Sequence, residues 1–261
     1  MPSHREYRRP AHRQPGRPPH RGYRHPPHRE PDRSTRRGAD RPAEQAQPGL
    51  VIATRHYPAD PAGRQGGDWH QAMPLPGRQV LLAIGDVVGH GPGAAGTMRY
   101  VRRAVLALAG AGFAPGRILA RLNRLLLRVG DDYAMSTAIV ATYRGDTREL
   151  CWARGGHLPP LLLRGGRSVP LPDPSGAIVG AFPDAGYAQA TVRLERNDVV
   201  LLYTDGMVEE PGRSLDDGIH GLTRAALAAL HTDDPPAAIV ARTRPRSVVD
   251  DACLLAAMAI R

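Results

Sequence analysis

Two continuous apolar runs, each of strand length, restrict the possible folds of this chain more than any other feature. Gln79–Ile84 reads QVLLAI and Val199–Tyr203 reads VVLLY. A short run without polar alternation is typical of a strand that is buried on both faces. Both runs lead to an aspartate, Asp86 and Asp205, that stands beside a glycine. The fold therefore has to place acidic side chains at the ends of buried strands.

The rest of the chain divides into groups of strand-like and helix-like stretches. Further strands are predicted at 50–57, 136–143, 149–153, 161–164, 188–194 and 252–260. Helices are predicted, from apolar residues at helical spacing, at 98–108, 115–129, 222–230 and 236–242. Because strands come in groups rather than alternating with single helices, the order predicts an α+β fold with mostly antiparallel sheets.

The first 48 residues have a composition of their own. They hold 12 Arg against five acids, and no Ile, Val, Leu, Phe or Trp. Such a segment cannot bury enough apolar surface to offset its ordering entropy, so we predict a disordered tail at 1–48 and a folded domain at 49–261. The tail holds +7 of the net charge of +10. An Arg-rich tail can bind nucleic acid through phosphate contacts, but its composition favours a solvated segment without a nucleic-acid partner.

Several classes of protein are excluded by composition. Two cysteines, Cys151 and Cys253, cannot form a disulfide-dense scaffold or a Cys-based zinc site. The longest nearly apolar stretch, 104–115, is shorter than the roughly 20 residues of a membrane-spanning helix. The charged N-terminus is not followed by the apolar core of a secretory signal. We therefore expect a cytoplasmic protein without a membrane partner.

Four aspartates share a setting that suits a hard metal ion. Asp68, Asp86, Asp205 and Asp250 stand at predicted strand ends or beside glycines, far apart in sequence. Carboxylate oxygens are the ligands that Mg²⁺ and Mn²⁺ prefer, and two such ions can activate a water for attack on a phosphoryl group. Taken singly, each aspartate fits an ordinary turn or loop cap better than a metal site, because Asp-Gly is a common turn dipeptide.

The surroundings of these aspartates resemble those of a known family. The motifs that carry the resemblance are Gly66-Gly67-Asp68-Trp69, the GDVVGHG of 85–91, Tyr203-Thr204-Asp205-Gly206, Asp250-Asp251 and the GGHLPPLL of 155–162. In their order along the chain they resemble the metal-dependent serine/threonine protein phosphatases of type 2C, the PPM family. The more similar branch is the bacterial one, which includes the sporulation stage II protein E phosphatase and regulators of stress sigma factors.

The resemblance implies both a fold and a metal site. The fold would be a four-layer α-β-β-α sandwich of two antiparallel sheets flanked by helices. The site would hold two Mn²⁺ or Mg²⁺ ions, with Asp86 bridging both and the Val87 backbone carbonyl as a further ligand. Asp68 would support one ion, directly or through water, and Asp205 and Asp250 would hold the other. Asp251 would support Asp250 from outside the ligand set.

The resemblance also implies a reaction and a partner. A metal-activated water would hydrolyse phosphoserine or phosphothreonine on a regulatory protein of the anti-anti-sigma type, with no catalytic side chain beyond the metal-bound water. The alternative is a catalytically silent module that keeps the fold and binds a partner in the same pathway. His90 is a candidate proton donor, although a structural role in the Gly-rich turn is favoured for it, as for His157. Arg154-Gly155 stands where relatives usually carry Asn-Ala.

Overall fold

The computed structural model of the protein describes residues 43–59, 66–129, 134–245 and 250–260. The strands in these ranges are β1 Ala43–Gln47, β2 Leu50–Tyr57, β3 Trp69–Leu75, β4 Gln79–Val87, β5 Ser136–Arg144, β6 Glu149–Gly155, β7 Leu161–Arg164, β8 Arg167–Val169, β9 Gln189–Arg193, β10 Val199–Tyr203 and β11 Ala252–Ala259. The α-helices are α1 Gly91–Gly110, α2 Pro115–Val129, α3 Leu215–Ala229 and α4 Pro235–Arg242.

The strands form two sheets in which neighbouring strands run antiparallel. The first has the order β1-β2-β11-β10-β7-β8 and the second the order β3-β4-β5-β6-β9. The inter-sheet core is built from both, for example Ile52, Leu202 and Leu255 of the first sheet with Leu82 and Trp152 of the second. The two sheets therefore pack face to face.

Helices cover the outer face of each sheet. α1 and α2 bury their apolar residues on the second sheet, where Met98, Val105 and Leu122 meet Leu81 and Val140. α3 and α4 cover the first sheet, where Leu222 and Ile239 pack with Leu201 and Leu254. The predicted α-β-β-α sandwich is confirmed.

The element bounds differ from the sequence prediction in instructive places. β3 was not predicted because Pro74 and half-buried polar residues interrupt its pattern; as an edge strand it pairs only with β4 and tolerates a proline. α3 begins at Leu215 rather than at 222, because Ser214 caps it by accepting a hydrogen bond from the Asp217 amide. β4 extends to Val87, so Asp86 lies inside the strand opposite Thr137 rather than after it.

The predicted tail also needs one correction. Ala43–Gln47 lies within 1–48 but forms β1 and pairs along its whole length with β2. A partner strand gives these residues backbone hydrogen bonds that composition alone does not reveal. The rest of the predicted tail up to residue 42 lies outside the described residues.

Candidate functional site

The five aspartates singled out from the sequence converge at one end of the sandwich. The amide of Val87 donates to the carbonyl of Gly67 at 3.2 Å, which brings the start of β3 against the end of β4. In the other sheet, the Thr204 amide donates to the Cys253 carbonyl at 3.1 Å, which joins the end of β10 to the start of β11. We call this group, Asp68, Asp86, Asp205, Asp250 and Asp251, the aspartate edge.

A hydrogen bond between the two sheets holds Asp68 in place. The Thr204 hydroxyl donates to Asp68 Oδ2 at 2.6 Å and accepts from the Cys253 amide at 2.8 Å. Asp68 and Thr204 are both buried. Since the Thr204 oxygen is engaged by an amide donor, its own proton is directed to the carboxylate. Sequence reasoning missed Thr204; its position directly before Asp205 was the available signal.

Small residues at the edge leave room that oxygen atoms fill. A methyl group on Gly67 would overlap the Val87 carbonyl oxygen and Asp86 Oδ1. A methyl group on Gly66 would overlap the Asp251 carboxylate. The glycines before Asp68 thus allow a backbone carbonyl and two carboxylates to approach one another closely.

Burial and mutual repulsion disturb the ionisation of these carboxyls. Burial, followed by the charge of Asp86, raises the pKa of Asp68 to about 9. Burial raises the pKa of Asp86 to about 7, with the charges of Asp205, Asp250 and Asp251 adding to it. The pKa of Asp205 is also raised, by burial and then by Asp250. The edge thus collects carboxyl groups whose ionised forms the fold disfavours.

The neighbours Asp250 and Asp251 occupy different environments. Asp250 is exposed, whereas Asp251 is 4% exposed. Asp251 accepts hydrogen bonds from the amides of Ala59 at 2.8 Å and Gly66 at 2.9 Å, and its own amide donates to Asp250 Oδ1 at 2.8 Å. Asp251 therefore orders the backbone around the edge and orients Asp250.

The two histidines differ in burial and in contacts. His157 is buried and bridges the sheets, with Nδ1 2.7 Å from the Thr137 hydroxyl of β5 and Nε2 3.1 Å from the Tyr203 carbonyl of β10. Burial lowers the pKa of His157 to about 4, so the neutral ring donates through Nε2 and accepts at Nδ1. This agrees with the structural role favoured for it. His90 is exposed just before α1, and its side chain makes no capping hydrogen bond to the helix.

Arg154, which departs from the family pattern, reinforces the loop that carries His157. Its guanidinium donates to the His157 carbonyl at 2.7 Å and to Asp173 at 2.7 Å. Arg154 therefore links the loop of His157 to Asp173. Trp69 is buried in the core under α1, as expected for a packing residue.

The donor set fits a hard divalent cation. It consists of carboxylate oxygens and the Val87 carbonyl, which are Mg²⁺ and Mn²⁺ ligands, and a cation would favour the ionised forms of these carboxyls. Within the described ranges, no three His, Cys, Asp or Glu side chains form a preassembled metal-binding group. The edge thus has the chemistry and the space for a cation without a closed ligand shell.

An open cavity of about 350 Å³ lies directly beside the edge. Gly206 and Asp250 line it on the side of the edge, and Glu209, Glu210 and Arg213 line the remainder with Pro211 and Leu215. A group bound at Asp250 would therefore have one side in this cavity.

Comparison with known proteins identifies the family. The family model described as Stage II sporulation protein E (SpoIIE) matches residues 76–259, which is more than half of the chain. The chain belongs to the SpoIIE family. Asp86, Asp205, Asp250 and Asp251 lie within the match, and Asp68 lies before it. Together with the fold, which is of the PP2C type, this confirms the PPM phosphatase family and its SpoIIE/RsbU branch.

Relatives within this branch are similar over much of the domain. The phosphoserine phosphatase RsbU of Bacillus subtilis (strain 168) is 28% identical over 151 residues, which are 57% of this chain and 44% of RsbU. The RsbU and RsbW domains of Rv1364c from Mycobacterium tuberculosis give a TM-score of 0.74 at 27% identity, covering 82% of this chain and 62% of that one. The chain thus spans less than two thirds of the length of either relative.

A third comparison concerns fold alone. RsbX, solved in complex with magnesium, gives a TM-score of 0.62 at 17% identity, covering 83% of this chain and 98% of that chain.

No helix among the described residues of the SpoIIE-family chain is long and apolar enough to cross a membrane.

Proposed function

We propose that this SpoIIE-family domain is a metal-dependent protein serine/threonine phosphatase that acts on a phosphorylated regulatory protein. The observation that carries the proposal is the aspartate edge, where burial, followed by the charge of Asp86, raises the pKa of Asp68 to about 9. Collecting carboxylates in this way is costly unless a cation neutralises them. Magnesium in RsbX, which shares the fold, supports the same use here.

In this proposal the edge holds two Mn²⁺ or Mg²⁺ ions. Asp86 and the Val87 carbonyl, for which Gly67 leaves space, would be ligands of these ions. Asp68 would support one ion, directly or through water, and Asp205 and Asp250 would hold the other. When bound, the ions supply a water of lowered pKa and neutralise charge on the phosphoryl group.

The other residues of the edge position these ligands. Thr204 fixes one oxygen of Asp68 by donating a hydrogen bond to it. Asp251 holds the backbone at Ala59 and Gly66 and orients Asp250 through its amide. His157 ties β10 to β5 and so fixes the strand end from which Thr204 and Asp205 follow. Mutation of residues that support metal ligands in this way typically lowers metal affinity or activity by about 10- to 100-fold.

The substrate in this proposal is a phosphoserine or phosphothreonine of an anti-anti-sigma type regulator in the cytoplasm. RsbU is named a phosphoserine phosphatase, and in the mycobacterial protein an RsbU domain occurs together with an RsbW domain. Both relatives belong to the same branch as this chain, which favours a pathway of sigma-factor regulation.

A catalytically silent binding module is the second candidate. It is favoured by the lack of a preassembled metal-binding group within the described ranges. In that case the cavity beside Asp250 would bind the partner, and no phosphate would be released.

Phosphate release from a phosphoserine peptide separates the two candidates. We expect the full chain to release phosphate with Mn²⁺ and to lose this activity with EDTA or with Asp205→Asn. Asp146→Asn is a matched control. Asp146 is half-exposed and pairs with Arg144, which ends β5 on the side away from the aspartate edge. Equal activity of the wild type and Asp205→Asn would refute the phosphatase proposal.

A further inference from the structure

The pair of helices on the second sheet carries positive charge only. From residue 91 to residue 129 the sequence holds seven arginines and no aspartate or glutamate. The rest of the range 49–261 holds 16 arginines and 20 acids. The charge of the folded domain is therefore segregated, with α1 and α2 forming a basic layer and the remainder being slightly acidic.

Five of the seven arginines are exposed on the side of the helices that faces away from the sheet. The other two are partly buried. Arg102 donates to the Gln71 side chain at 3.3 Å, and the Arg121 guanidinium lies over the Phe113 ring at 4.1 Å. No ion pair among the described residues involves any of the five. We call these five residues the arginine face: Arg99 and Arg103 of α1, and Arg117, Arg124 and Arg128 of α2.

The arrangement of these charges is unfavourable for the helices themselves. Arg99 and Arg103 lie one helical turn apart, as do Arg124 and Arg128, and like charges at this spacing repel one another. Neither α1 nor α2 has an acid in its first turn, where α3 has two aspartates. Acids there would interact favourably with the helix dipole. The charge of the layer is thus not compensated within the helices and is available to a partner.

The arginine face adjoins the aspartate edge. α1 begins four residues after Val87. In α2, the Asn123 side chain accepts from the Gly180 amide at 2.7 Å, and the neighbouring Val179 exchanges backbone hydrogen bonds with Ser136 at 2.9 Å. Ser136 lies opposite Val87 in the sheet. The start of α1 and the later turns of α2 are therefore both tied to the edge, so a protein bound at the edge can extend over the face.

We propose that the arginine face binds an acidic surface of the phosphorylated regulatory protein while its phosphoserine or phosphothreonine lies at the aspartate edge. A guanidinium group matches a carboxylate with two parallel hydrogen bonds. A stable interface covers about 800 Å² on each partner, which one phosphorylated side chain does not provide. The inference rests on the proposed function and adds to it the part of the substrate that is recognised away from the phosphate.

A protein partner fits the face better than nucleic acid does. α1 and α2 each have one side buried on the second sheet, so neither projects as a helix that could enter the groove of a duplex. Within 91–129, Tyr100 is the one exposed aromatic residue, whereas single-stranded nucleic acid is held by several stacked aromatic rings.

Peptide binding tests the face without turnover. A labelled peptide with a run of glutamates is compared with a serine peptide of the same length. Dissociation constants for the full chain are measured by fluorescence anisotropy without added metal. We expect the glutamate peptide to bind about tenfold more tightly at low salt and to lose this advantage at about 0.5 M salt, because exposed ion pairs are weak singly and are screened.

A double charge reversal attributes the binding to the helices. Arg103→Glu with Arg124→Glu should remove most of the preference for glutamate. Each new glutamate lies one turn from a remaining arginine, so attraction replaces repulsion and the melting temperature should not fall. Arg167→Glu with Arg224→Glu is the matched control, because both arginines are exposed and lie on β8 and α3, away from the layer. The Arg-rich segment before β1 is the same in every protein compared.

Turnover tests whether the face serves the substrate. A phosphoserine peptide is joined to the glutamate run by a Gly-Ser linker of about ten residues, which has a root-mean-square length of about 18 Å. With Mn²⁺, its KM should be about tenfold lower than that of the serine counterpart and its kcat unchanged, since docking away from the phosphate adds equally to substrate and transition-state binding. The reversal at residues 103 and 124 should remove this difference, and the control should keep it.

The outcomes are distinguishable. Equal binding of the glutamate and serine peptides by the wild type, or a preference that survives the reversal at 103 and 124, would overturn the face. If that reversal removes binding of duplex DNA but not of glutamate, the face belongs to nucleic acid. An unchanged KM in a peptide that is turned over would overturn the role in substrate docking. If the glutamate preference behaves as expected but Mn²⁺ produces no phosphate release, the phosphatase proposal fails and the face remains a docking surface for an acidic protein.

Discussion

The inter-sheet core and the aspartate edge are built on the same strand, yet they have opposite physical characters. Leu82 and Ile84 of β4 are buried in the core between the sheets, and Asp86 follows them in the same alternation at the strand's end. Apolar burial in the core stabilises the sandwich. Carboxylates collected at the edge repel one another, which destabilises the metal-free protein. The core therefore stabilises the fold, and repulsion among the edge carboxylates offsets part of that stability at the site proposed to bind metal.

The largest effect is expected from Asp86→Asn, which separates stability from activity. Phosphate release should fall by at least about 100- to 1000-fold, because one preorganised electrostatic group is worth about 10²–10³. The pKa of Asp86 is raised to about 7, so its ionisation destabilises the fold as the pH rises. The melting temperature of the metal-free variant at pH 8 should therefore equal or exceed that of the wild type. A large drop in melting temperature would show that Asp86 is a structural residue.

The core is expected to respond in the opposite way to Leu82→Ala. Leu82 is 1% exposed, so truncation should lower the free energy of unfolding by about 3 kcal/mol. Mn²⁺ affinity of the protein that remains folded should be unchanged. Urea unfolding measures the free energy of unfolding, and metal titration measures Mn²⁺ affinity. If Leu82→Ala lowers both, core packing and metal binding are not separate properties.

His157 connects the two regions and makes stability depend on pH. Its pKa is about 4 in the folded protein against 6.5 for the free side chain, so the fold favours the neutral ring. Stability from this residue is therefore complete above about pH 6.5 and is lost as the pH falls toward 4, by up to about 3 kcal/mol. The measurement is the difference in unfolding free energy between wild type and His157→Gln at pH 7 and at pH 5. A difference independent of pH would contradict the buried neutral histidine.

The smallest effect concerns the hydrogen bond that joins Asp68 to the first sheet. Thr204→Val should weaken Mn²⁺ binding by about 10- to 100-fold, because it releases one oxygen of Asp68. Thr204→Ser keeps the hydroxyl and should restore most of the affinity. If Ser and Val behave alike, the methyl group of Thr204 matters rather than its hydrogen bond.

The sequence predicted the core more fully than the edge, for physical reasons. A continuous apolar run marks a buried strand such as β10 directly. Edge strands such as β3 and β1 carry weaker patterns, because one side of each lacks a partner strand. The motifs identified the aspartates, but not their neighbours in space. Thr204 and Asp68 are 136 residues apart, and only packing of the two sheets brings them together. A cavity of about 210 Å³ likewise combines residues at the end of α4 with the 207–213 segment before α3, which no local pattern reveals.

Isothermal titration of the full chain with Mn²⁺ at pH 8, repeated with Asp86→Asn and with Asp146→Asn, tests the central claim most directly. We expect the wild type and Asp146→Asn to bind about two Mn²⁺ ions each, and Asp86→Asn to lose this binding. Identical isotherms for all three proteins, or no binding by the wild type at millimolar metal, would contradict a metal site at the aspartate edge.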